Sequence, residues 1–192
     1  MPKISAPTLV EHQSYQRHAL VSAAIEVLAE EGVTAMNPAS VGRRASLARS
    51  STYQYFDSGA ALLAAAVEAA QAEVDDVVSR AAADAAGPAD TVDSYVTAVL
   101  GVATTAPFRA LRALERADLP PMCAARLHEL ATAQRSPLVA ALAELGVADP
   151  VATADLVVAL VEAAAAQVCA GAGEVEVRGR TLGLLHRGVC PD

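Results

Sequence analysis

Tryptophan is absent from this 192-residue sequence, and aromatic residues make up only 3% of it. Strands favour aromatic and β-branched side chains, whereas alanine and leucine, which are abundant in the 54% hydrophobic share, are strong helix formers. The length suits one domain, or a small head joined to a larger body. The composition therefore predicts an all-α protein with a buried core.

Cysteine is also scarce, with Cys123, Cys169 and Cys190 far apart along the chain. None of the three stands in a CxxC or Cys/His spacing, so no metal site is indicated, and free thiols in a reducing cytosol are expected. The four histidines show no catalytic spacing, and no nucleophile–base pair or phosphate-binding loop is visible. We therefore expect a protein that is not an enzyme and has no cofactor.

The N-terminal residues lack the apolar segment of a signal peptide, which predicts a cytoplasmic protein. The most apolar run, residues 151–173, approaches membrane-spanning length. It contains Asp155, Glu162 and Gln167 and has no flanking aromatic residues or basic end. We interpret this run as a buried helix of a soluble protein that does not enter a membrane.

Basic residues are outnumbered, with 14 Lys and Arg against 22 Asp and Glu and a formal net charge of -8. The balance is uneven, because residues 1–60 hold five residues of each sign and residues 61–192 carry the whole negative excess. A neutral head on an acidic body suits local contact with a nucleic acid. The acidic body would be repelled from the phosphates, which orients the approach.

A basic, hydroxyl-rich and aromatic segment lies within the neutral head, at residues 37–56. It holds three arginines, no acid, and three of the six aromatic residues of the chain. Asn37-Pro38 predicts a helix start, because asparagine caps helices and proline suits the first helical position. Ser46-Leu47-Ala48 predicts a turn, and a second short helix is expected from about Arg49 to Tyr55. This is the pattern of a helix-turn-helix.

Apolar residues at helical spacing predict about nine helices in all. The first runs from about Ser14 to Glu31, and Gly32 is placed as the left-handed residue that ends it. The fourth begins at Asp57 or Ser58, extends toward Ala86, and is ended by Gly87-Pro88. Later helices are expected after Asp90, from Pro107, from Pro121 to Gly146, from Pro150 to Ala170 and from about Val175 to Arg187.

Two stretches of the body allow more than one interpretation. Ser136-Pro137 must either kink its helix or restart it, because proline lacks the backbone donor. Residues 174–177, Glu-Val-Glu-Val, predict the start of the last helix, with a short strand as the alternative. Both positions lie outside the basic segment and bear on the fold only.

Several residues of the head keep a fixed spacing, without a gap, from Arg17 to Leu63. They include Gly32, Asn37, Val41-Gly42, Ser46-Leu47-Ala48, Ser51-Thr52-Tyr53-Gln54-Tyr55-Phe56 and Leu62-Leu63. This stretch resembles the DNA-binding head of the tetracycline-repressor (TetR) family of transcriptional regulators. The resemblance implies a DNA-binding domain at residues 1–58 and a helical effector-binding and dimerisation domain at residues 59–192.

The resemblance also implies roles for the residues of the helix-turn-helix. The second short helix would enter the major groove with its N-terminal residues nearest the bases. An arginine there can bind a guanine or a phosphate, a glutamine can read a base edge, and tyrosine hydroxyls can donate to phosphates. N–H groups at the start of a helix can also bind a phosphate. The predicted DNA-binding residues are Asn37, Arg43, Arg44, Arg49, Ser50, Ser51, Tyr53, Gln54 and Tyr55.

Three of these residues have plainer alternative roles. Arg43 and Arg44 are alternatively solvated surface residues, and Tyr53 alternatively packs into the core. Phe56 is expected to be core.

Four positions of the head depart from the family pattern. Gly42 replaces a small alanine, and Ser46 replaces the glycine of the turn. Ala48 replaces a serine cap, which costs about 1 kcal/mol of capping. Gly59 replaces a frequent lysine at the start of the fourth helix and removes one phosphate contact. These departures bear on DNA affinity more than on the fold.

For the body, the resemblance implies an unknown small-molecule effector and a homodimer that binds a palindrome-like operator. Dimerisation is expected through residues 150–188. Candidate effector-binding residues are Tyr95, Phe108, Met122, His128 and Gln167, each with an ordinary core role as the alternative. The leading interpretation is a repressor released by its effector. The alternative is a helical ligand-binding protein with weakened affinity for DNA.

Overall fold

A computed structural model of the chain describes residues 9–115, 117 and 121–188, without the side chains of residues 9, 10, 49 and 121–124. These residues form ten α-helices and no strand, which confirms the all-α fold. A 3₁₀ turn, Val33–Ala35, follows the first helix. The helices are α1 (Leu9–Glu31), α2 (Pro38–Arg44), α3 (Arg49–Tyr55), α4 (Gly59–Ala83), α5 (Pro88–Val102), α6 (Ala106–Glu115), α7 (Pro121–Gln134), α8 (Ser136–Glu144), α9 (Pro150–Cys169) and α10 (Glu174–Gly188).

The two ambiguous stretches of the body are both helical. The chain restarts at Ser136-Pro137, where α7 ends at Gln134 and α8 begins at Ser136. Proline suits this first turn, because its missing N–H falls among donors that have no partner within the helix. Glu-Val-Glu-Val opens α10, so the strand alternative for residues 174–177 is wrong. A glutamate at each of positions 174 and 176 favours this helix start, because acids stabilise the N-terminal turn.

Helix boundaries follow the local signals at several positions. Gly32 ends α1 with a φ of 80°, a conformation that favours glycine over any residue with a side chain. Asp149 caps α9, since its Oδ1 accepts a hydrogen bond of 3.0 Å from the N–H of Ala152. At α4, the Ser58 hydroxyl accepts from the N–H of Ala61 at 3.1 Å. The expected start of α1 at Ser14 is wrong, because the helix already runs from Leu9.

The chain divides into two compact units, and the first is made by residues up to Ala70 together with Arg109–Asp118. In this unit α1 packs against α2, and α2 packs against α3. The buried side chains come mainly from α1, joined by residues of α2, of the end of α3, of α4 and of α6. They include Leu20, Ala24, Val27, Leu28, Val41, Phe56 and Leu62. This core holds the two short helices of the head in place, and neither is long enough to be stable alone.

The second unit consists of Gln71–Phe108 and Leu119–Asp192. Here α5 packs against α8, α9 and α10, and α9 also packs against α8 and α10. Its core is mainly aliphatic and includes Val92, Val96, Leu100, Leu138, Leu142, Val157 and Val161. The unit is therefore a helical bundle built around α5 and α9.

Helix α9 is long and apolar enough to cross a membrane by length and composition alone. In this structure it has a buried face that packs in the second unit, with Val157, Val161 and Val168 almost inaccessible to solvent. Val151 and Leu156 of the same helix are exposed. One helix of this kind is weak evidence for a membrane span, since a core helix has the same composition.

Candidate nucleic-acid interface

Helix α2 is fixed at its start by a reciprocal cap around Asn37. The Asn37 Oδ1 accepts hydrogen bonds of 3.0 Å from the N–H groups of both Ala39 and Ser40. The Ser40 hydroxyl accepts in turn from the Asn37 N–H at 3.2 Å, and the Asn37 amide donates to the carbonyl of Ala35 at 3.1 Å. The side chain of Asn37 and the first N–H groups of α2 are thus used within the protein, and its phosphate contact stays a prediction.

Gly42 allows α3 to approach α2 closely. A Cβ at this position would lie 2.9 Å from the Thr52 Oγ1 and 3.0 Å from the Leu47 carbonyl oxygen, closer than van der Waals contact. Thr52 is fully buried, and its hydroxyl lies 3.4 Å from the carbonyl of Pro38. The glycine at position 42 therefore leaves the space that the buried side chain of Thr52 occupies.

The turn between α2 and α3 contains a strained residue. Ser46 has a φ of 57°, in the left-handed region that non-glycine residues adopt at a cost of about 1 kcal/mol or more. The Leu47 N–H donates to the Gly42 carbonyl at 2.7 Å and so closes the turn. Ala48 precedes α3 without a side-chain cap, as its sequence predicts.

Helix α3 has a buried face and an exposed face. Thr52 and Phe56, four positions apart, are buried against the head. On the other side Ser50, Tyr53 and Gln54 are exposed, and Tyr53 keeps 44% of its accessible surface, so its core alternative is wrong. Ser51 is half-buried. The side chain of Arg49 lies outside the described residues, although its backbone begins α3.

Two contacts hold the end of α3 against α1. The hydroxyl of Tyr55 donates a hydrogen bond to the Gln16 side-chain oxygen. The guanidinium of Arg17 stacks over the ring of Phe56, with 5.1 Å from its central carbon to the ring centroid. Gln16 and Arg17 were not predicted as part of the site. They lie 39 residues before their partners, so no local pattern could reveal them.

The two arginines of the last turn of α2 have different surroundings. Arg43 is exposed and makes no ion pair or side-chain hydrogen bond within the described part of the chain. Arg44 is half-buried and pairs with Glu26, Glu30 and Glu31 of α1. The hydrogen bond from Arg44 to Glu30 and the charge of Arg44 lower the pKa of Glu30, and the charge of Arg109 lowers it further.

The predicted effector-binding residues occupy different environments in the second unit. Tyr95 and Phe108 are buried, whereas His128 and Gln167 are exposed. The side chain of Met122 lies outside the described residues. Burial raises the pKa of Tyr95 to about 12, with a smaller contribution from the charge of Glu162. The structure therefore does not place these candidates on one surface.

A groove of about 180 Å³ runs between α9 and α10 on the exposed side of the second unit. Arg180 crosses it and donates a hydrogen bond of 3.2 Å to the side-chain oxygen of Gln167. Its lining is mostly apolar and consists of Leu160, Ala163, Ala164, Gln167, Val177, Arg180, Thr181 and Leu184. Leu184 of this lining exposes 54% of its surface, and Leu156, one turn before Leu160 on α9, exposes 72%.

Comparison with known proteins agrees with the sequence resemblance. Residues 20–66 match the profile of the family described as "Bacterial regulatory proteins, tetR family". A search of curated proteins gives no match. The predicted resemblance of the head to the tetracycline-repressor family is confirmed by this match, which covers the helix-turn-helix and the start of α4.

Solved structures of bacterial regulators share the fold. A putative TetR-family transcriptional regulator from Rhodococcus sp. has a TM-score of 0.80 at 18% identity, covering 92% of this chain and all of that one. The fatty acid degradation regulator FadR from Bacillus halodurans has a TM-score of 0.76 at 14% identity, over 91% of this chain and 96% of that one. A TetR-family transcriptional regulator from Streptomyces coelicolor has a TM-score of 0.72 at 20% identity, over 92% and 90%.

Proposed function

We propose that this chain, a TetR-family protein by its head and its fold, is a sequence-specific DNA-binding repressor released by a small-molecule effector. The observation that carries the proposal is the two-faced helix α3. Thr52 and Phe56 hold it to the head while Ser50, Tyr53 and Gln54 face outward. A short helix anchored on one side and polar on the other suits insertion into a major groove.

Contacts with the DNA backbone are proposed around this helix. Arg43 is exposed in the last turn of α2, which precedes α3, and its guanidinium is available for a phosphate. Arg49, Ser51 and the hydroxyl group of Tyr53 complete the proposed contact surface, whereas the Tyr55 hydroxyl already donates its proton to Gln16. Contacts with phosphates position the protein on the DNA, and we propose that Gln54 and Arg49 recognise base edges.

The active form is proposed to be a homodimer joined through α9 and α10. Leu160 and Leu184 line the groove between these two helices, and Leu156, one turn before Leu160 on α9, is 72% exposed. Exposed apolar residues that adjoin an apolar groove are typical of a surface covered by a partner. A two-fold axis there would present two copies of α3 to a palindrome-like site.

The effector is proposed to bind in the second unit and to act through α4, which begins in the head and continues into the body. The buried residues of that unit are mainly aliphatic, with Tyr95 and Phe108 as buried aromatics, which favours an apolar ligand. Ligand binding would favour conformers in which the spacing of the two heads no longer matches the operator. The protein would then release the DNA. Such a regulator acts in the cytoplasm, where the DNA is, and needs no enzymatic activity.

The alternative function is a helical ligand-binding protein with weakened affinity for DNA. Ala48 makes no cap at the start of α3, and Gly59 supplies no charge at the start of α4, and both favour this alternative. Measuring the binding of duplex DNA over a series of salt concentrations separates the two functions. The repressor predicts tight binding to one sequence and a steep salt dependence, whereas the alternative predicts weak binding to every sequence.

Introducing a positive charge at position 59 tests whether the start of α4 faces the DNA backbone, as the proposed orientation of the head requires. A Cβ at Gly59 would lie 3.5 Å from the ring of Pro38, an ordinary contact, so Gly59→Lys fits the structure. We expect this change to steepen the slope of log K against log salt by about 0.9 per protomer. The matched control is Gly101→Lys on α5, where the added side chain meets open space and the slope should not change. Equal slopes for both variants would contradict the proposed orientation.

A further inference from the structure

Three glutamates surround Arg44 at the end of α1. The Arg44 Nη1 lies 3.3 Å from the Glu26 carboxylate, and its Nη2 lies 2.7 Å from Glu30 and 3.2 Å from Glu31. The Arg44 side chain is 29% exposed, and each glutamate is about half exposed. One guanidinium thus joins the last turn of α2 to two successive turns of α1. The branched donors of arginine suit such a multiple contact, which a single ammonium group cannot reproduce.

These glutamates need a cation because they lie at the C-terminal end of α1. They occupy the last two turns of α1, where the negative end of the helix dipole disfavours acids, and that last turn contains no basic residue. The compensating charge comes from other helices. Arg44 supplies it from α2, and Arg109 of α6 donates a hydrogen bond of 3.0 Å to the carbonyl of Ala29 in the same turn.

The charge around Arg44 remains negative despite this pairing. Three carboxylates face one guanidinium, and with the charge of Arg109 included the group still has one negative charge in excess. A phosphate that approached Arg44 would meet this excess. Moving the guanidinium to a phosphate would also leave three neighbouring carboxylates without their common partner. Arg43, one position earlier, is exposed and has no such neighbours within the described residues.

We propose that Arg44 is a positioning residue that fixes α2 against α1, and that Arg43 alone provides the phosphate contact from this turn. The glutamates and Arg44 then form an acidic corner of the head that DNA avoids. Only the part of this inference that concerns Arg43 rests on the proposed DNA-binding function. The role of Arg44 in holding the two helices together can be measured on the free protein.

Three variants test the assignment, each measured for thermal unfolding without DNA and for DNA binding over a salt series. Arg44→Ala should lower the midpoint of unfolding and leave the slope of log K against log salt unchanged. Arg43→Ala, the matched control, should leave the midpoint unchanged and reduce the slope by about 0.9 per protomer, or about 1.8 for a dimer. Arg44→Lys keeps the charge and loses the branched contact, so it should also lower the midpoint.

The contrary results are distinct. A slope reduced by Arg44→Ala to the same degree as by Arg43→Ala, with an unchanged midpoint, would show that Arg44 contacts phosphate and would overturn the proposal. A full rescue of the midpoint by Arg44→Lys would overturn it too, because a single point charge would then suffice. If the wild-type protein binds no DNA, the proposed function fails. The unfolding midpoints then still decide the positioning role of Arg44.

Discussion

At the scale of single residues, the turn of the head carries a strain that a substitution can remove. Ser46 adopts a φ of 57°, a conformation that glycine reaches without steric cost. This serine replaces the glycine of the family pattern, and the left-handed strain is the physical consequence. Gly42, which replaces an alanine, introduces no strain. The close approach of α3 requires a residue without a side chain at this position.

Ser46→Gly should stabilise the protein by about 0.5–1 kcal/mol, since relief of the left-handed strain exceeds the extra flexibility of glycine in the unfolded chain. Chemical denaturation measures this free energy of unfolding. The matched control is Ser22→Gly in the middle of α1, at an exposed position, which should destabilise by about 0.5 kcal/mol. A destabilising effect at both positions would count against the strained turn.

Gly42→Ala should destabilise the protein by about 1–2 kcal/mol, although alanine is the better helix former. The added methyl group would lie 3.0 Å from the backbone oxygen of Leu47, which cannot move without opening the turn. At Gly101, near the end of α5, nothing lies within 4 Å of an added Cβ, so alanine there should stabilise by up to about 1 kcal/mol. A stabilised Gly42→Ala variant would show that α2 and α3 are not in close contact.

At the scale of helices, the sequence predicts boundaries better than it predicts contacts. Asn37-Pro38, Gly32 and Asp149-Pro150 mark helix ends correctly, because each signal acts within one turn of the residue that gives it. The contact of Tyr55 with Gln16 spans 39 residues, and that of Arg44 with Glu26 spans 18. Such pairs depend on how the helices pack, and the spacing of residues within one helix does not contain that information.

The junction between α1 and α2 should be sensitive to acid. The pKa of Glu30 is lowered by its bond to Arg44, so the folded state favours the carboxylate. The resulting stability is present above the pKa of the unfolded glutamate, about 4.3, and is lost as the pH falls through the lower folded value. Glu26, Glu31, Arg44 and Arg109 are the other charged groups at this junction.

We therefore expect Glu30→Gln to lower the unfolding midpoint at neutral pH and to match the wild type at a pH below the folded pKa of Glu30. Thermal unfolding followed by circular dichroism over an acid series makes the comparison. Glu68→Gln on α4 serves as the control, because Glu68 is exposed and has no cation partner within the described residues. A difference between wild type and Glu30→Gln that stays constant with pH would contradict the electrostatic origin.

At the scale of the whole molecule, the acidic body and the neutral head make sense as parts of a dimer. One head offers few cations for DNA, and two heads on one operator double that number. The proposed interface could be anticipated from the apolar run of residues 151–173. The structure adds which side of α9 is uncovered, a distinction that a helix apolar on nearly all sides does not reveal in its sequence.

Leu156→Glu should convert the proposed dimer into a monomer and weaken operator binding by at least tenfold. Leu156 is 72% exposed in the single chain, so the change costs the fold little, whereas a two-fold interface would bury a pair of carboxylates. Sedimentation at micromolar concentration measures the mass. The control is Ala140→Glu on α8, exposed and outside residues 150–188, which should remain dimeric. A wild-type monomer would refute the proposed interface.

Selection of bound sequences from random duplex DNA tests whether α3 reads DNA as one half of a symmetric pair. We expect enrichment of a palindrome-like site whose half-sites lie about one helical turn apart, or a multiple of it. Gln54→Ala should relax the preference at one position in each half-site. Selection that enriches no sequence at all would contradict this role of α3.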